Sequence, residues 1–168
     1  MSPVTRSWLA FAAIGAALIH FALVIGAPVA YAVGLALLGI VELLWGVACL
    51  SRDRVVLPRV ARAVALVPAL LWALLLVVSA ALAAPDLAAP LSFVPMGTAT
   101  VFELAIAVVI SVRLRSPKNE RPRSGPRTLA GIVAGALVVA ALTAPALAFT
   151  QAGAAAPSEL RIPEHPER

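Results

Sequence analysis

Three ionisable side chains interrupt otherwise apolar stretches of this sequence, and they are the residues best placed to do chemistry. They are His20, Glu42 and Glu103. A charged side chain inside a lipid bilayer is costly unless it is neutralised, paired or hydrated, so such residues are functional candidates by default. One interpretation is a proton or cation relay, in which Glu42 and Glu103 bind the ion and His20 is the outer relay.

A second interpretation gives the same residues a structural role. A protonated carboxylic acid that is hydrogen-bonded across helices would fix their register. Two neighbouring carboxyl groups can also share one proton at lower cost than they can carry two charges. A third interpretation is contact with a partner subunit. The sequence leaves all three interpretations open.

A metal site is not expected from the sequence, and neither is a cofactor. Zinc or copper usually takes three or four imidazole or soft ligands, and His20, Cys49 and Met96 fall at different heights. At 1.5 Å per residue, Glu42 and Glu103 lie about 12 and 14 Å from the inner surface and His20 about 10 Å from the outer one. A metal shared by His20 and the two glutamates would therefore need helix tilt or a change of register.

Residues at helical spacing from the three candidates are small or polar, which predicts that these helix faces contact other helices rather than lipid. They form three stripes: Gly39, Gly46 and Cys49 around Glu42; Met96, Thr100, Ala107 and Ser111 around Glu103; and Ala13 and Ala16 beside His20. We therefore expect all three ionisable residues to point into a helical bundle.

The elements that must position these residues are long apolar segments. Of the 168 residues, 62% are hydrophobic and 12% are charged, whereas soluble domains carry about 45–50% apolar and about 25% charged residues. Crossing a bilayer takes about 20 residues of helix, and backbone groups in lipid need partners within the segment. The sequence predicts an all-α integral membrane bundle in one domain, residues 1–150, with a disordered tail at 151–168. Its five spans are 7–27, 29–50, 63–84, 91–112 and 128–150.

Charge predicts the orientation of these spans. With five spans, eleven of the thirteen Lys and Arg residues fall on one side. The positive-inside rule makes that side cytoplasmic, with the N-terminus inside and the C-terminus outside. This distribution also explains the net charge of +5 without a nucleic-acid partner, since basic residues beside a membrane attract anionic lipid head groups. We expect the cytoplasmic membrane of a cell as the location.

The fifth span carries two further patterns. Gly131 and Gly135 form a GxxxG pattern that allows close helix approach, within the chain or between chains. The small residues that end near Ala148 also fit a signal-peptidase site. Such matches arise by chance in an Ala-rich chain, so we expect an uncleaved span.

Enzyme motifs are absent from the sequence. It has no phosphate-binding glycine loop, zinc-protease motif or nucleophile elbow. No predicted segment outside the membrane exceeds about 18 residues, which is too short for a soluble catalytic domain. We expect that the chain is not an enzyme.

Residues 15–46, GAALIHFALVIGAPVAYAVGLALLGIVELLWG, carry a resemblance to known proteins. A histidine in the first span followed by a Gly-rich second span with a polar residue resembles small multi-pass membrane proteins of high-GC actinobacteria, whose activities are uncharacterised. The resemblance implies the topology and no activity.

Together these features predict a non-enzymatic accessory or assembly subunit of a membrane complex, with lipid and a membrane protein partner or a second copy as its contacts. The alternative is a small proton- or cation-handling transporter that uses Glu42 and Glu103 with His20.

Overall fold

The computed structural model describes residues 1–52, 54–115 and 125–159, and in these ranges the chain is helical and contains no strand. Five helices, α1 to α5, are long and apolar enough to cross a membrane, so the all-α membrane bundle predicted from the sequence is confirmed. A 3₁₀ turn at Pro85–Leu87 links α3 to α4. The helices are α1 Pro3–Val24, α2 Val29–Ser51, α3 Pro58–Ala81, α4 Phe93–Arg115, α5 Gly125–Ala148 and a short α6 Gln151–Glu159.

The turn between α1 and α2 is built by local sequence. After Val24 the backbone turns through Gly26, whose φ of +82° is left-handed and is accessible to glycine at little cost. Pro28 then precedes α2 in an extended conformation. At the other end of α1, the backbone N–H of Thr5 donates to the Ser2 side chain over 3.2 Å, which is a favourable N-cap.

Helix α1 is the centre of the bundle. It packs against α2, α4 and α5, whereas α3 packs mainly against α4. Within its most apolar 18 residues α1 is 61% buried, against 17% for α5, so the core is organised around α1. Large apolar side chains on the outer faces are exposed, among them Leu37, Leu71 and Leu137, as expected for helices that face lipid.

The glycines of the GxxxG pattern lie against α1 of the same chain. A Cβ atom at Gly131 would stand 3.0 Å from Val4, and one at Gly135 would stand 2.6 Å from Trp8 Nε1. The Trp8 indole N–H donates to the carbonyl oxygen of Gly131 over 2.8 Å. These glycines therefore allow α1 and α5 to pack closely side by side in a parallel orientation.

The alternating direction of the five long helices places the described arginines at one end of the bundle, which we call the basic end. The start of α1, the end of α2, the start of α3, the end of α4 and the start of α5 all lie there. Asp86 and Tyr31 lie at the opposite end, where the Tyr31 hydroxyl donates to the Leu87 carbonyl over 2.9 Å. The described arginines of the basic end are Arg6, Arg52, Arg54, Arg59, Arg62, Arg113, Arg115 and Arg127.

The structure differs from the sequence prediction after the fifth span. A disordered tail is expected from residue 151, but Gln151–Glu159 forms α6. The Thr150 hydroxyl accepts from the backbone N–H of Gly153 over 3.1 Å, which caps the helix, and the alanine-rich sequence favours helix formation. The remainder of the predicted tail, residues 160–168, lies outside the described residues. So do residues 116–124, which connect α4 to α5.

Candidate functional site

His20, Glu42 and Glu103 meet in the interior of the bundle, and we call them the central cluster. His20 comes from α1, Glu42 from α2 and Glu103 from α4. Their exposed fractions are 0%, 9% and 1%. The three polar residues singled out by the sequence therefore share one buried site, contributed by three different helices.

The His20 imidazole lies between the two carboxyl groups. Its Nδ1 is 2.8 Å from Glu42 Oε2, a hydrogen bond, and its Nε2 is 3.6 Å from Glu103 Oε1. An ionised carboxylate can only accept, so with Glu42 ionised the Nδ1–H group donates to it. In the neutral imidazole that assignment leaves a lone pair on Nε2, which faces Glu103.

The carboxyl group of Glu103 and the His20 nitrogen that faces it lack hydrogen bonds. Among the described residues, neither His20 Nε2 nor either carboxyl oxygen of Glu103 has a hydrogen-bond partner. Two facing acceptor atoms repel each other in a low-dielectric interior unless positive charge lies on one of them or between them. The geometry therefore favours a further proton or a cation at this position.

The three side chains are also close enough to share one ion. One ligand atom from each residue lies within 4.8 Å of the other two. The three residues are thus closer together than the depths counted from the sequence indicate, about 12 Å from the inner surface for Glu42 and about 10 Å from the outer surface for His20, because that count assumes that helix ends are level. The sequence predicts that His20 can share an ion with the glutamates only through helix tilt or a change of register, and the structure has such a register.

The physical reason for the difference is the register of α1 against α2. A Cβ atom at Gly39 would stand 2.8 Å from Phe21, and one at Gly46 would stand 3.0 Å from the Ala10 carbonyl oxygen and 3.0 Å from Ile14. In this register the first turns of α2 extend past the end of α1. Glu42 thereby comes level with His20.

Small residues bring these two helices close enough for the short hydrogen bond between their side chains. Ala13 and Ala16 on α1 are buried, with exposed fractions of 1% and 0%. On α2, Gly39 and Gly46 lie so close to atoms of α1 that a Cβ atom at either position would collide with them. The inward-facing stripes predicted from the sequence thus lie at the α1–α2 contact.

Cys49 and Met96 lie outside the central cluster. Cys49 is buried and unpaired, but it is seven residues from Glu42, or about 10 Å along α2. Met96 lies in α4, two turns before Glu103, where it lines an apolar cavity. Neither residue belongs to the group whose ligand atoms converge.

Two cavities lie between α2 and α3. The larger, of about 500 Å³, has an apolar lining that includes Tyr31 and Trp72. The smaller, of about 190 Å³, has Glu42 and Trp45 in its wall. Val41 and Val64 line both cavities, so the two adjoin along one gap in the bundle. This gap reaches from the opposite end of the bundle to the residues that begin α3.

Two further buried polar atoms were not assigned a role from the sequence. Thr100 Oγ1 and Trp72 Nε1 have no hydrogen-bond partner among the described residues. Thr100 is one turn from Glu103 on α4, about 4.5 Å towards the opposite end. Its position on the Glu103 stripe was visible in the sequence, whereas the position of Trp72 depends on how α3 packs.

Comparison with known proteins identifies no relative for this arrangement: no protein-family model, curated protein or solved structure matches the chain.

Proposed function

We propose that this chain binds a proton or a cation at the central cluster and passes it across the membrane. The observation that carries the proposal is the approach of His20 Nε2 and Glu103 Oε1, which are 3.6 Å apart without a hydrogen bond between them, in a site where both side chains are almost fully buried. A buried arrangement of this kind is stabilised when it takes up positive charge.

A purely structural role accounts for only half of the central cluster. The hydrogen bond between His20 and Glu42 would be enough to fix the register of α1 and α2. Glu103 adds a second buried acid whose two oxygens have no hydrogen-bond partner among the described residues. Such a group is expensive to retain in a structural contact, which favours a role in binding.

Two features support a path for an ion or a proton to the central cluster, one from each end of the bundle. The smaller cavity runs beside Glu42 to Leu57 and Val60 near the basic end. On α4, the Thr100 hydroxyl lies one turn from Glu103 towards the opposite end and has no partner among the described residues. A hydroxyl can both donate and accept, so it can hand a proton onwards.

We place the basic end of the bundle in the cytoplasm of a cell and the chain in its cytoplasmic membrane. The described arginines at this end support this orientation through the positive-inside rule. The first prediction from the sequence, a non-enzymatic accessory or assembly subunit, stays a prediction, and so does the resemblance to actinobacterial membrane proteins.

The experiment is proton flux into proteoliposomes that contain a pH-sensitive dye, driven by an imposed membrane potential. Glu42→Gln and Glu103→Gln keep the side-chain shape but cannot exchange the proton of a carboxyl group. Asp86→Asn makes the same chemical change at an exposed position outside the bundle core and is the matched control.

We expect each core variant to lower the flux at least about tenfold, equivalent to about 1.4 kcal/mol in the barrier, and Asp86→Asn to leave it unchanged. Flux that survives unchanged in both core variants would overturn the proposal. Size-exclusion profiles and circular dichroism of each variant show whether a loss of flux is a loss of fold.

A further inference from the structure

We propose that the central cluster binds a divalent transition-metal ion between His20 Nε2 and Glu103, with Glu42 orienting the imidazole. This inference rests on the proposed function and specifies the ion. Its observations are the convergence of the three ligand atoms within 4.8 Å and the buried atoms of His20 and Glu103 that lack a hydrogen-bond partner in the described part of the chain.

The distances match a metal site more closely than a hydrogen bond on the Glu103 side. Metal–nitrogen and metal–oxygen bonds of about 2.1 Å at tetrahedral angles separate two ligand atoms by about 3.4 Å. His20 Nε2 and Glu103 Oε1 are 3.6 Å apart, which is longer than a typical N–H···O hydrogen bond. A metal ion therefore fits between these atoms with only small side-chain movement.

The contact between His20 and Glu42 has the form that supports a metal-binding histidine. Such histidines usually donate their second ring N–H to a carboxylate or carbonyl, which fixes the tautomer and turns the other nitrogen's lone pair towards the metal. Nδ1 of His20 is 2.8 Å from Glu42 Oε2. Glu42 is thus a positioning residue that acts through His20.

Charge determines the valence of the ion. With both glutamates ionised and His20 neutral, the central cluster carries two negative charges in a buried site. One divalent cation or two added protons neutralise it, and either state avoids an uncompensated buried charge.

No other described titratable side chain belongs to the converging group. On α1 the group is His20, on α2 Glu42 and on α4 Glu103, while Cys49 is two turns from Glu42. Neither α3 nor α5 contributes a charged side chain to it, and their described arginines lie at the basic end.

The ligand types select the class of metal. One imidazole nitrogen and carboxylate oxygens suit zinc, manganese or ferrous iron, whereas copper(I) prefers sulfur and calcium or magnesium prefers oxygen alone. Fewer than four protein ligands leave positions on the metal for water. An ion held in this way can leave, as a transported ion must.

The test uses Zn²⁺ as the probe and the full-length protein, purified without a polyhistidine tag and freed of metal in detergent micelles. Calorimetric titration gives the stoichiometry and affinity. The variants are His20→Gln, Glu103→Gln and Glu42→Gln. Asp86→Asn and Cys49→Ala are the controls for surface carboxylates and for the thiol.

We expect one Zn²⁺ per chain, with weaker affinity as the pH falls because metal ligands must lose their protons to bind. His20→Gln and Glu103→Gln should abolish binding at this site. Glu42→Gln should weaken it about 10–100-fold, as expected for a residue that orients a ligand. Both controls should bind as the wild type does.

Two results would overturn the metal inference: no stoichiometric Zn²⁺ binding by the wild type, or binding that survives both His20→Gln and Glu103→Gln. If the wild type fails to bind Zn²⁺ while its proton flux still depends on Glu42 and Glu103, the metal inference is wrong and the proposed function stands. If Zn²⁺ binds as expected but neither protons nor Zn²⁺ cross the membrane, the transport proposal is wrong and the metal site stands.

Discussion

His20 Nε2 and Glu103 Oε1 face each other across 3.6 Å in the interior of a five-helix membrane bundle, and neither atom has a hydrogen-bond partner among the described residues. On the other side of the same ring, Nδ1 is hydrogen-bonded to Glu42. One imidazole therefore has one satisfied and one unsatisfied nitrogen. This asymmetry is the reason that we propose a binding site here rather than a simple polar contact between helices.

Replacing His20 with phenylalanine should destabilise the protein, and more so as the pH rises. Phenylalanine fills the space but leaves Glu42 and Glu103 buried without a compensating group. Breaking a buried ionic contact typically costs about 3–5 kcal/mol. At low pH both carboxyl groups are protonated and the cost falls, whereas at high pH the folded state must either hold their protons or bury their charges.

The measurement is the thermal unfolding temperature of wild type and His20→Phe over a range of pH in detergent. The triple variant with Glu42→Gln and Glu103→Gln added should recover most of the lost stability. A penalty that is independent of pH, or that the two glutamines fail to relieve, would show that His20 is only a packing residue.

Enlarging Gly46 should separate α1 from α2 and disturb the contact between His20 and Glu42. A Cβ atom at this position would stand 3.0 Å from the Ala10 carbonyl oxygen, a backbone atom that moves only if the helix moves. We expect Gly46→Val to cost about 1–3 kcal/mol through overpacking and to lower both Zn²⁺ affinity and proton flux.

The matched control for this substitution is Gly34→Val on the same helix, since a Cβ atom at Gly34 has nothing within 4 Å. Unfolding temperature and proton flux should fall for Gly46→Val alone. Equal effects at the two positions would argue against the close α1–α2 contact as the support of the central cluster.

The orientation proposed for the bundle predicts which ends can be labelled from outside the cell. In a Cys49→Ala background, Asp86→Cys lies at the opposite end and Ser51→Cys lies at the basic end, and both native side chains are exposed. A membrane-impermeant maleimide should label Asp86→Cys on intact cells and Ser51→Cys only after the cells are opened. The reverse pattern would invert the topology.

The accessory-subunit interpretation predicts a stoichiometric partner. Native mass spectrometry of the protein, extracted gently from its own membrane, measures this directly. A second polypeptide at constant ratio would favour an accessory role. A monomer or homo-oligomer that carries a bound metal ion is the result expected for the proposed transport function.

The helices and the inward-facing residues could be predicted from the sequence because lipid constrains both strongly. Long apolar runs must form helices, and a charged side chain such as Glu103 must turn away from lipid. The structure places Glu42 and Glu103 in one cluster, in accord with the similar depths that residue counting gives them.

The contact between His20 and Glu42 could not be obtained by counting residues. Counting assumes that adjacent helices end at the same level, but the turn through Gly26 and the close contact of Gly46 with α1 set a different register. Helix α6 was missed because an alanine-rich segment after a membrane span can be helical or disordered. The cap provided by Thr150 is a weak signal in the sequence.

The most direct test of the account is infrared difference spectroscopy of the protein during a pH titration in lipid, because the C=O stretch of a protonated carboxyl group is distinct from the carboxylate bands. We predict a carboxylic band from the buried acids that titrates reversibly and that is altered or lost in Glu42→Gln and Glu103→Gln but not in Asp86→Asn. A spectrum in which the wild type and both core variants show the same titrating bands would mean that the central cluster exchanges no proton, and would contradict the account.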